Sequence, residues 1–218
     1  MSVPMHQLDV YLDFISPYAY LGFHALPEAL EGQSVSVNYK PVLFAGMLKH
    51  WGQLGPAEVP PKKVWTFRHV LWLGQQAGRS MQAPAAHPFN PLALLRIAVA
   101  KGLAQGGDPN RETCRAIFEH VWETGLPADD AQRTADLAQR LHVTDWNTDA
   151  VKQRLRENTE AAIAAGVFGV PSVVWQGRVF WGVDGLPMLR AALEGDPRLS
   201  DAAWAAAESI PAAVERPR

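Results

Sequence analysis

The sequence predicts an α/β fold in which an all-helical segment interrupts a small sheet. Three observations lead to this prediction. Residues 8–39 show a strand–helix–strand pattern, residues 172–193 show a strand–strand–helix pattern, and no credible strand stands between residues 43 and 147. Joining the two outer parts gives a four-stranded sheet with two flanking helices.

The first strand is predicted at residues 8–12, where apolar and β-prone residues alternate. A helix follows at once, because proline is favoured at the first helical position and Pro17 stands there. Ser16 is then the predicted N-cap. Residues 35–39 alternate again and are predicted to form a second strand. Two strands joined by a helix in this way are parallel, with a right-handed crossover.

Residues 43–147 are predicted to form an inserted helical domain. One of its helices is predicted to have Asn90 as its cap and Pro91 at its first position, and to present one apolar face, formed by Leu92, Leu95, Val99 and Leu103. The other helices are predicted shortly after residue 43 and at residues 62–78, 111–124 and 130–141. The outer segments, residues 1–42 and 148–218, then form one discontinuous domain.

The chain returns to strands after a long helix that Asn147 or Thr148 is predicted to cap. Two β-rich runs, residues 172–175 and 178–181, are separated by Gln176-Gly177, and a two-residue loop with glycine indicates a hairpin. With the helix that follows, the outer parts match the thioredoxin arrangement.

Asp184 is predicted to cap that last helix, in which Leu186, Leu189 and Leu193 share one face. A further helix is predicted at residues 201–209, and the tail from residue 211 onwards is predicted to fray.

Composition excludes several classes of protein. With 48% apolar and 19% charged residues among 218, the chain is globular, and its net charge of −2 gives no basic excess for nucleic acid. The single cysteine, Cys114, excludes an internal disulfide and is predicted to be a buried, inert thiol. No apolar run indicates a signal peptide or a membrane span, and no histidine spacing indicates a metal site. We therefore expect a soluble cytoplasmic protein with no membrane partner.

Two positions have both a structural and a functional interpretation. Ser16 either caps its helix and does nothing else, or also donates a hydrogen bond to an anion at the helix start. Pro171 is either an ordinary turn proline or follows a cis Val170–Pro171 bond. In the second case the Val170 backbone faces outward and pairs with an extended, peptide-like ligand.

Four stretches together resemble 2-hydroxychromene-2-carboxylate isomerase, a glutathione-dependent family close to kappa-class glutathione transferases. They are Asp-Phe-Ile-Ser-Pro-Tyr at 13–18, His-Pro-Phe-Asn at 87–90, Val-Phe-Gly-Val-Pro-Ser at 167–172 and Phe-Trp-Gly-Val-Asp at 180–184. The resemblance runs through nearly the whole chain in the right order. It implies a DsbA-like thioredoxin fold of the kappa-class transferase type, with serine in place of the redox cysteine.

The resemblance implies glutathione as cofactor and suggests how it is held. Ser16, at the helix start that Pro17 opens, would face the sulfur, and the Val170 backbone before Pro171 would pair with the cysteinyl part. The γ-glutamyl end would lie at the loop formed by Trp181, Gly182, Val183 and Asp184. The family often has Asn-Asp-Arg where this chain has Val183-Asp184-Gly185.

The resemblance also suggests a substrate side. Lys49 is a candidate partner for a substrate carboxylate, Gln53 stands where the family has asparagine, and three residues would wall an aromatic ring: Trp51, His87 and Phe89. Each has a plainer interpretation as a solvated lysine, a loop histidine or a core aromatic. The substrate implied is a small aromatic 2-oxo acid, and the assembly implied is a homodimer.

The reaction implied is the interconversion of the cyclic hemiketal 2-hydroxychromene-2-carboxylate and trans-o-hydroxybenzylidenepyruvate, in aromatic-compound catabolism. Two alternatives stay open at this point: a kappa-like transferase with another electrophilic substrate, and a thioredoxin-like peptide-binding module without catalysis. DsbA-type oxidoreduction is disfavoured, because Ser16 and Ala19 occupy the Cys-x-x-Cys positions.

Overall fold

Four strands form one mixed sheet in the computed structural model, which describes residues 5–207 and 209–211. The sheet order is β2-β1-β3-β4, where the strands are β1 (His6–Leu12), β2 (Val35–Pro41), β3 (Ser172–Trp175) and β4 (Arg178–Trp181). β1 is parallel to β2 and antiparallel to β3, and β3 is antiparallel to β4. The strands from both ends of the chain therefore share one sheet, as predicted.

Nine α-helices accompany the sheet within the described residues. α1 (Pro17–Ala29) connects β1 to β2, α7 (Asp149–Ala164) leads back to β3, α8 (Leu186–Leu193) follows β4, and α9 (Ala202–Ala207) comes last. The remaining five fall between residues 43 and 147, where there is no strand: α2 (Phe44–Trp51), α3 (Pro60–Gln76), α4 (Leu92–Ala104), α5 (Arg111–Trp122) and α6 (Ala131–Arg140). This is the thioredoxin-like α/β fold that the sequence predicts.

Phe118, on α5, joins the helical segment to the sheet side of the molecule. Its ring centroid is 4.9 Å from that of Phe14 and 5.1 Å from that of Phe23. All three side chains are at most 2% exposed, and burying one such ring contributes about 1.5–3 kcal/mol. A single hydrophobic cluster thus includes residues from both parts of the chain, and the division into domains at residues 42/43 and 147/148 stays a prediction.

Helix ends differ slightly from the predictions. α3 begins two residues early, because Pro60 and Pro61 suit a first helical turn. α4 begins at Leu92 with Pro91 at the N-cap, although the Asn90 side chain still accepts the Leu92 N–H at 3.1 Å. Thr148 is the cap of α7.

The structure describes only part of the C-terminal segment. α9 lies within the helix predicted at residues 201–209, and residue 208 of that prediction lies outside the described residues. The predicted frayed tail also lies outside them from residue 212 onwards. None of the helices that the structure describes is both long and apolar enough to span a bilayer.

Candidate active site

Ser16 occupies the turn between β1 and α1. Its backbone is extended (φ −89°, ψ 118°), and its hydroxyl oxygen accepts the Ala19 N–H at 3.1 Å, so it is the predicted N-cap. The same hydroxyl donates to the Val170 carbonyl oxygen at 3.3 Å. Ser16 therefore does more than cap, because it connects the start of α1 to the segment before β3.

Val170 and Pro171 meet Ser16 at the edge of the sheet. The bond between them is cis, which is the second of the two interpretations of Pro171 given above. Among the described residues the Val170 N–H has no acceptor, although Val170 is only 6% exposed. The Pro171 ring packs on α1 at Gly22, where a Cβ atom would lie 2.8 Å from the Pro171 Cγ. Only glycine at residue 22 allows this close approach of α1 to the proline.

The loop of residues 181–184 lies beside Pro171. The Gly182 N–H donates to the Pro171 carbonyl at 2.9 Å, and Gly182 has a left-handed backbone (φ 80°) that favours glycine. Trp181 is half-exposed and contacts Phe168, with ring centroids 5.0 Å apart. Val183 is partly buried against the main hydrophobic cluster.

The prediction that Asp184 caps the last helix is wrong. α8 has Gly185 at its N-cap, with helical backbone angles (φ −76°, ψ −17°) and no side-chain cap. The exposed Asp184 carboxylate instead turns back over Gly182, where it occupies the space that a Cβ atom would need. Because α8 does not use it, this carboxylate is available to a cationic ligand group.

The carbonyl groups of the Ser16 turn are held by side chains from the helical segment. The Trp122 indole N–H donates to the Phe14 carbonyl at 2.9 Å, and Nε2 of His87 lies 3.0 Å from the Ile15 carbonyl. Since a carbonyl only accepts, Nε2 of His87 carries the proton. Burial lowers the pKa of His87 below its ordinary value, against the raising effect of the Ile15 hydrogen bond, and the imidazole is neutral.

A family model described as a DsbA-like thioredoxin domain matches residues 7–194. The chain belongs to this family. Glutathione S-transferase kappa 2 of Caenorhabditis elegans is 28% identical over 174 residues, covering 74% of this chain and 77% of that protein. The 2-hydroxychromene-2-carboxylate isomerase of Pseudomonas sp. strain C18 is 26% identical over 202 residues, covering 87% and 91%.

A solved structure of 2-hydroxychromene-2-carboxylate isomerase has the same fold. It aligns with a TM-score of 0.75 at 23% identity, and the alignment covers 94% of this chain and 100% of that one. The DsbA-like thioredoxin fold is therefore supported by sequence and by structure.

This DsbA-like chain has no thiol of its own for redox chemistry at the site. Ser16 and Ala19 stand at the Cys-x-x-Cys positions, and the only cysteine is Cys114. Cys114 is fully buried on α5, and burial raises the pKa of its thiol far above the ordinary value, which agrees with the predicted inert thiol. Any sulfur chemistry at Ser16 must use a thiol that arrives with a ligand.

The predicted substrate residues are only partly brought to the site. Phe89 is 8% exposed and lies near His87, with ring centroids 6.1 Å apart. The Trp51 indole N–H donates to the Val167 carbonyl at 3.0 Å, which brings the end of α2 to the segment before Val170.

Lys49 and Gln53 are exposed near the end of α2. Among the described residues no hydrogen bond joins either side chain to the Ser16 turn or to residues 167–171. Their role toward a substrate stays a prediction. The described residues also contain no group of three or more His, Cys, Asp or Glu side chains that could hold a metal ion.

Asp13 was not predicted as part of the site. It is fully buried three residues before Ser16, and both of its carboxyl oxygens accept backbone N–H groups. Burial raises the pKa of Asp13 to about 7, against the lowering effect of these hydrogen bonds. The available signal in the sequence was a carboxylate directly after a buried strand, which is costly unless it has partners.

Proposed function

We propose that this protein is a glutathione-dependent isomerase of the 2-hydroxychromene-2-carboxylate type. It would interconvert the cyclic hemiketal and trans-o-hydroxybenzylidenepyruvate. The observation that carries the proposal is the Ser16 hydroxyl 3.3 Å from the Val170 carbonyl, at the N-terminus of α1 and in a chain without an accessible thiol.

The residues present fit glutathione. The Val170 N–H, which has no acceptor among the described residues, and the Val170 carbonyl offer a donor and an acceptor to the cysteinyl part of the peptide, as an added strand would use them. The exposed Asp184 carboxylate matches the α-amino group of the γ-glutamyl end. Trp181 and Gly182 set the position of that loop against Pro171.

Ser16 would act by stabilising a thiolate. A free thiol has a pKa of about 8.5, and lowering it by about two units requires about 2.7 kcal/mol. A hydroxyl hydrogen bond to a charged sulfur, together with the helix dipole at the start of α1, is of the right size to supply this. The neutral His87 and the Trp122 indole hold the turn that carries Ser16 in place.

When bound, glutathione would supply a nucleophilic sulfur that adds to the unsaturated bond of the ring-opened substrate and leaves after rotation, so that none is consumed. The aromatic ring would lie near Phe89, His87 and Trp51, and Lys49 and Gln53 would face its polar groups. The hydrogen bond between Nε2 of His87 and the Ile15 carbonyl favours a supporting role for His87.

The proposal is tested first by calorimetric titration with glutathione, with S-methylglutathione as a matched ligand that cannot form a thiolate. We expect glutathione to bind, and its affinity to rise relative to that of the methylated peptide as the pH rises through the pKa of the bound thiol. The absence of binding at millimolar glutathione would refute a glutathione-dependent activity and favour a peptide-binding module with another ligand.

A second candidate is a kappa-like glutathione transferase, which the 28% identity to the kappa 2 protein favours. Both functions use the same Ser16 site. Chromatography of a reaction with the aromatic pyruvate distinguishes them, because a transferase accumulates a stable conjugate and depletes glutathione, whereas an isomerase does neither.

The proposal includes a cytoplasmic location and a homodimer. The cytoplasm maintains the reduced glutathione pool that the reaction needs. Several large apolar side chains are exposed along α3, including Val64, Trp65 and Trp72, and such patches favour an interface. Light scattering of the purified protein gives the mass directly, and a monomer at micromolar concentration would contradict the dimer.

A further inference from the structure

Asp13 joins two parts of the site through one carboxyl group. Its Oδ1 accepts the Ile15 N–H at 3.1 Å, in the turn that carries Ser16. Its Oδ2 accepts the Phe44 N–H at 2.9 Å, at the first residue of α2. Asp13 is 0% exposed, so water does not replace either partner.

α2 depends on this distant carboxyl group for its cap. Leu43 stands at the N-cap of α2 and offers no side-chain oxygen, so the Phe44 N–H would be unpaired without Asp13. A carboxylate is the only short side chain with two acceptor oxygens and no donor. The two N–H donors facing Asp13 match its ionised form, which accepts at both oxygens, better than the amide of asparagine, which accepts at only one.

The other end of α2 returns to the site. Trp51, the last residue of α2, donates its indole N–H to the Val167 carbonyl at 3.0 Å, three residues before Val170. The Ser16 hydroxyl connects the two halves directly, by donating to the Val170 carbonyl. α2 thus spans the two halves of the candidate site, and Asp13 is its attachment to the Ser16 half.

We propose that Asp13 is a positioning residue, which holds the Ser16 hydroxyl opposite the Val170 carbonyl by fixing the Ser16 turn to the start of α2. This inference rests on the proposed function, because it assigns Asp13 a part in activating the bound thiol. It predicts that loosening the Asp13 attachment affects thiol activation more than the binding of the peptide.

The first test compares Asp13→Asn with the wild type. The amide keeps the shape and one acceptor but places a donor against one of the two N–H groups. We expect kcat to fall about tenfold and the pKa of bound glutathione, followed by thiolate absorbance, to rise by about one unit. The KM for glutathione should change less than about threefold.

The control for lost stability is Asp130→Ala, which removes the side-chain cap of α6 through a different carboxylate. It should lower stability without altering kcat or the thiol pKa. If Asp13→Asn folds and matches the wild type in both quantities, Asp13 is a structural cap and the inference is wrong.

A second pair of variants removes the donor instead of the acceptor. Phe44→Pro deletes the N–H that Asp13 accepts, at a first helical position where proline is tolerated, whereas Phe44→Ala keeps that N–H. Both lose the same aromatic ring. We expect Phe44→Pro to reproduce the change in thiol pKa, and equal behaviour of the two variants would overturn the inference.

Amide hydrogen exchange separates this inference from the proposed function. In the ligand-free protein, Asp13→Asn should speed exchange of the Ile15 and Phe44 amides by about tenfold or more, whether or not glutathione is the ligand. Unchanged exchange refutes the attachment itself. Faster exchange in a protein that does not bind glutathione would instead refute the proposed function.

Discussion

The Ser16 hydroxyl and the Val170 carbonyl are hydrogen-bonded across 154 residues of sequence, at 3.3 Å. Both groups are the ones that the proposed function assigns to glutathione. Under the proposed function, a peptide N–H that displaces the serine from this carbonyl would free the hydroxyl for the sulfur. Binding of the main chain and stabilisation of the thiolate would then be linked through one exchange of hydrogen-bond partners.

Replacing Ser16 with alanine separates these two effects. We expect Ser16→Ala to raise the pKa of bound glutathione and to lower turnover, with a small change in affinity because the Val170 carbonyl no longer has a competing donor. Loss of the cap should lower the free energy of unfolding by about 1 kcal/mol. Thiolate absorbance, calorimetry and urea titration measure the three quantities.

Thr148→Ala is the matched control for that cap, because Thr148 accepts an N–H at the start of α7 in the same way. It should reproduce the loss of stability alone. A wild-type thiol pKa and rate in Ser16→Ala would mean that the serine serves the helix and not the sulfur.

Asp184→Ala tests the loop beside Pro171. We expect glutathione affinity to fall by about 1–3 kcal/mol, because a charged partner of the α-amino group is lost. Thermal stability should stay within about 0.5 kcal/mol, since Asp184 is exposed and does not cap α8. Unchanged affinity would place the γ-glutamyl end elsewhere, and Asp184→Asn, which keeps an acceptor, should lose less than alanine.

Gly22→Ala tests the approach of α1 to the proline. Its Cβ would lie 2.8 Å from the Pro171 Cγ, so either the ring or α1 must move. We expect a loss of about 1–3 kcal/mol in stability and weaker glutathione binding.

Gly46→Ala is the matched control on α2, because its Cβ would meet the nearest atom, on Thr159, at an ordinary 3.7 Å. Replacing a helical glycine there should raise stability by about 0.5–1 kcal/mol. If both variants bind glutathione as the wild type does, close packing at Gly22 is not needed by the site.

His24 gives the protein a defined response to acid. Its ring lies between Tyr20 and Phe23, at 4.7 and 5.2 Å, and its Nε2 is buried without a partner among the described residues. Burial, with smaller effects of nearby arginines, lowers the pKa of His24 from 6.5 to about 4. Between these pH values the unfolded chain binds a proton that the folded chain does not, so stability is lost as the pH falls from 6.5 to 4.

His24→Phe keeps the aromatic contacts and removes the proton. We expect the wild type to lose about 1–2 kcal/mol more than the variant between pH 7 and 4, a figure reduced for the partial exposure of the ring. Protonation of Asp13, whose pKa is raised, changes stability with the opposite sign. Because Asp13 is present in both proteins, the difference between their stabilities isolates His24. Parallel curves from urea titration at each pH would contradict the assignment.

Features with signals close together in the sequence were predictable. Ser16 and Pro17 are neighbours that specify the start of α1, and Gln176-Gly177 supplies the two left-handed residues (φ 50° and 75°) of the hairpin loop. The cis bond at Val170–Pro171 was suggested by the thioredoxin arrangement of the strands and not by residue chemistry alone.

Features that depend on distant partners were not predictable. The groups that hold the Ser16 turn come from residues such as Phe44 and His87, which are 31 and 72 positions away from their partners. The N-cap of α8 is Gly185 because of its backbone angles. The neighbouring aspartate in the sequence does not predict those angles. Local sequence therefore locates Ser16, whereas tertiary packing determines which residues hold its turn in place.

The position of β1 between β2 and β3 in the sheet has a consequence for biosynthesis of the protein. Its two neighbours in the sheet are β2, which follows soon after it, and β3, which leaves the ribosome only after the whole helical segment. A nascent chain that ends before residue 170 exposes one edge of β1 and lacks the carbonyl opposite Ser16. Under the proposed function, retention on immobilised glutathione would therefore report synthesis past residue 170, and ribosome-stalled fragments that end before it should pass through such a column.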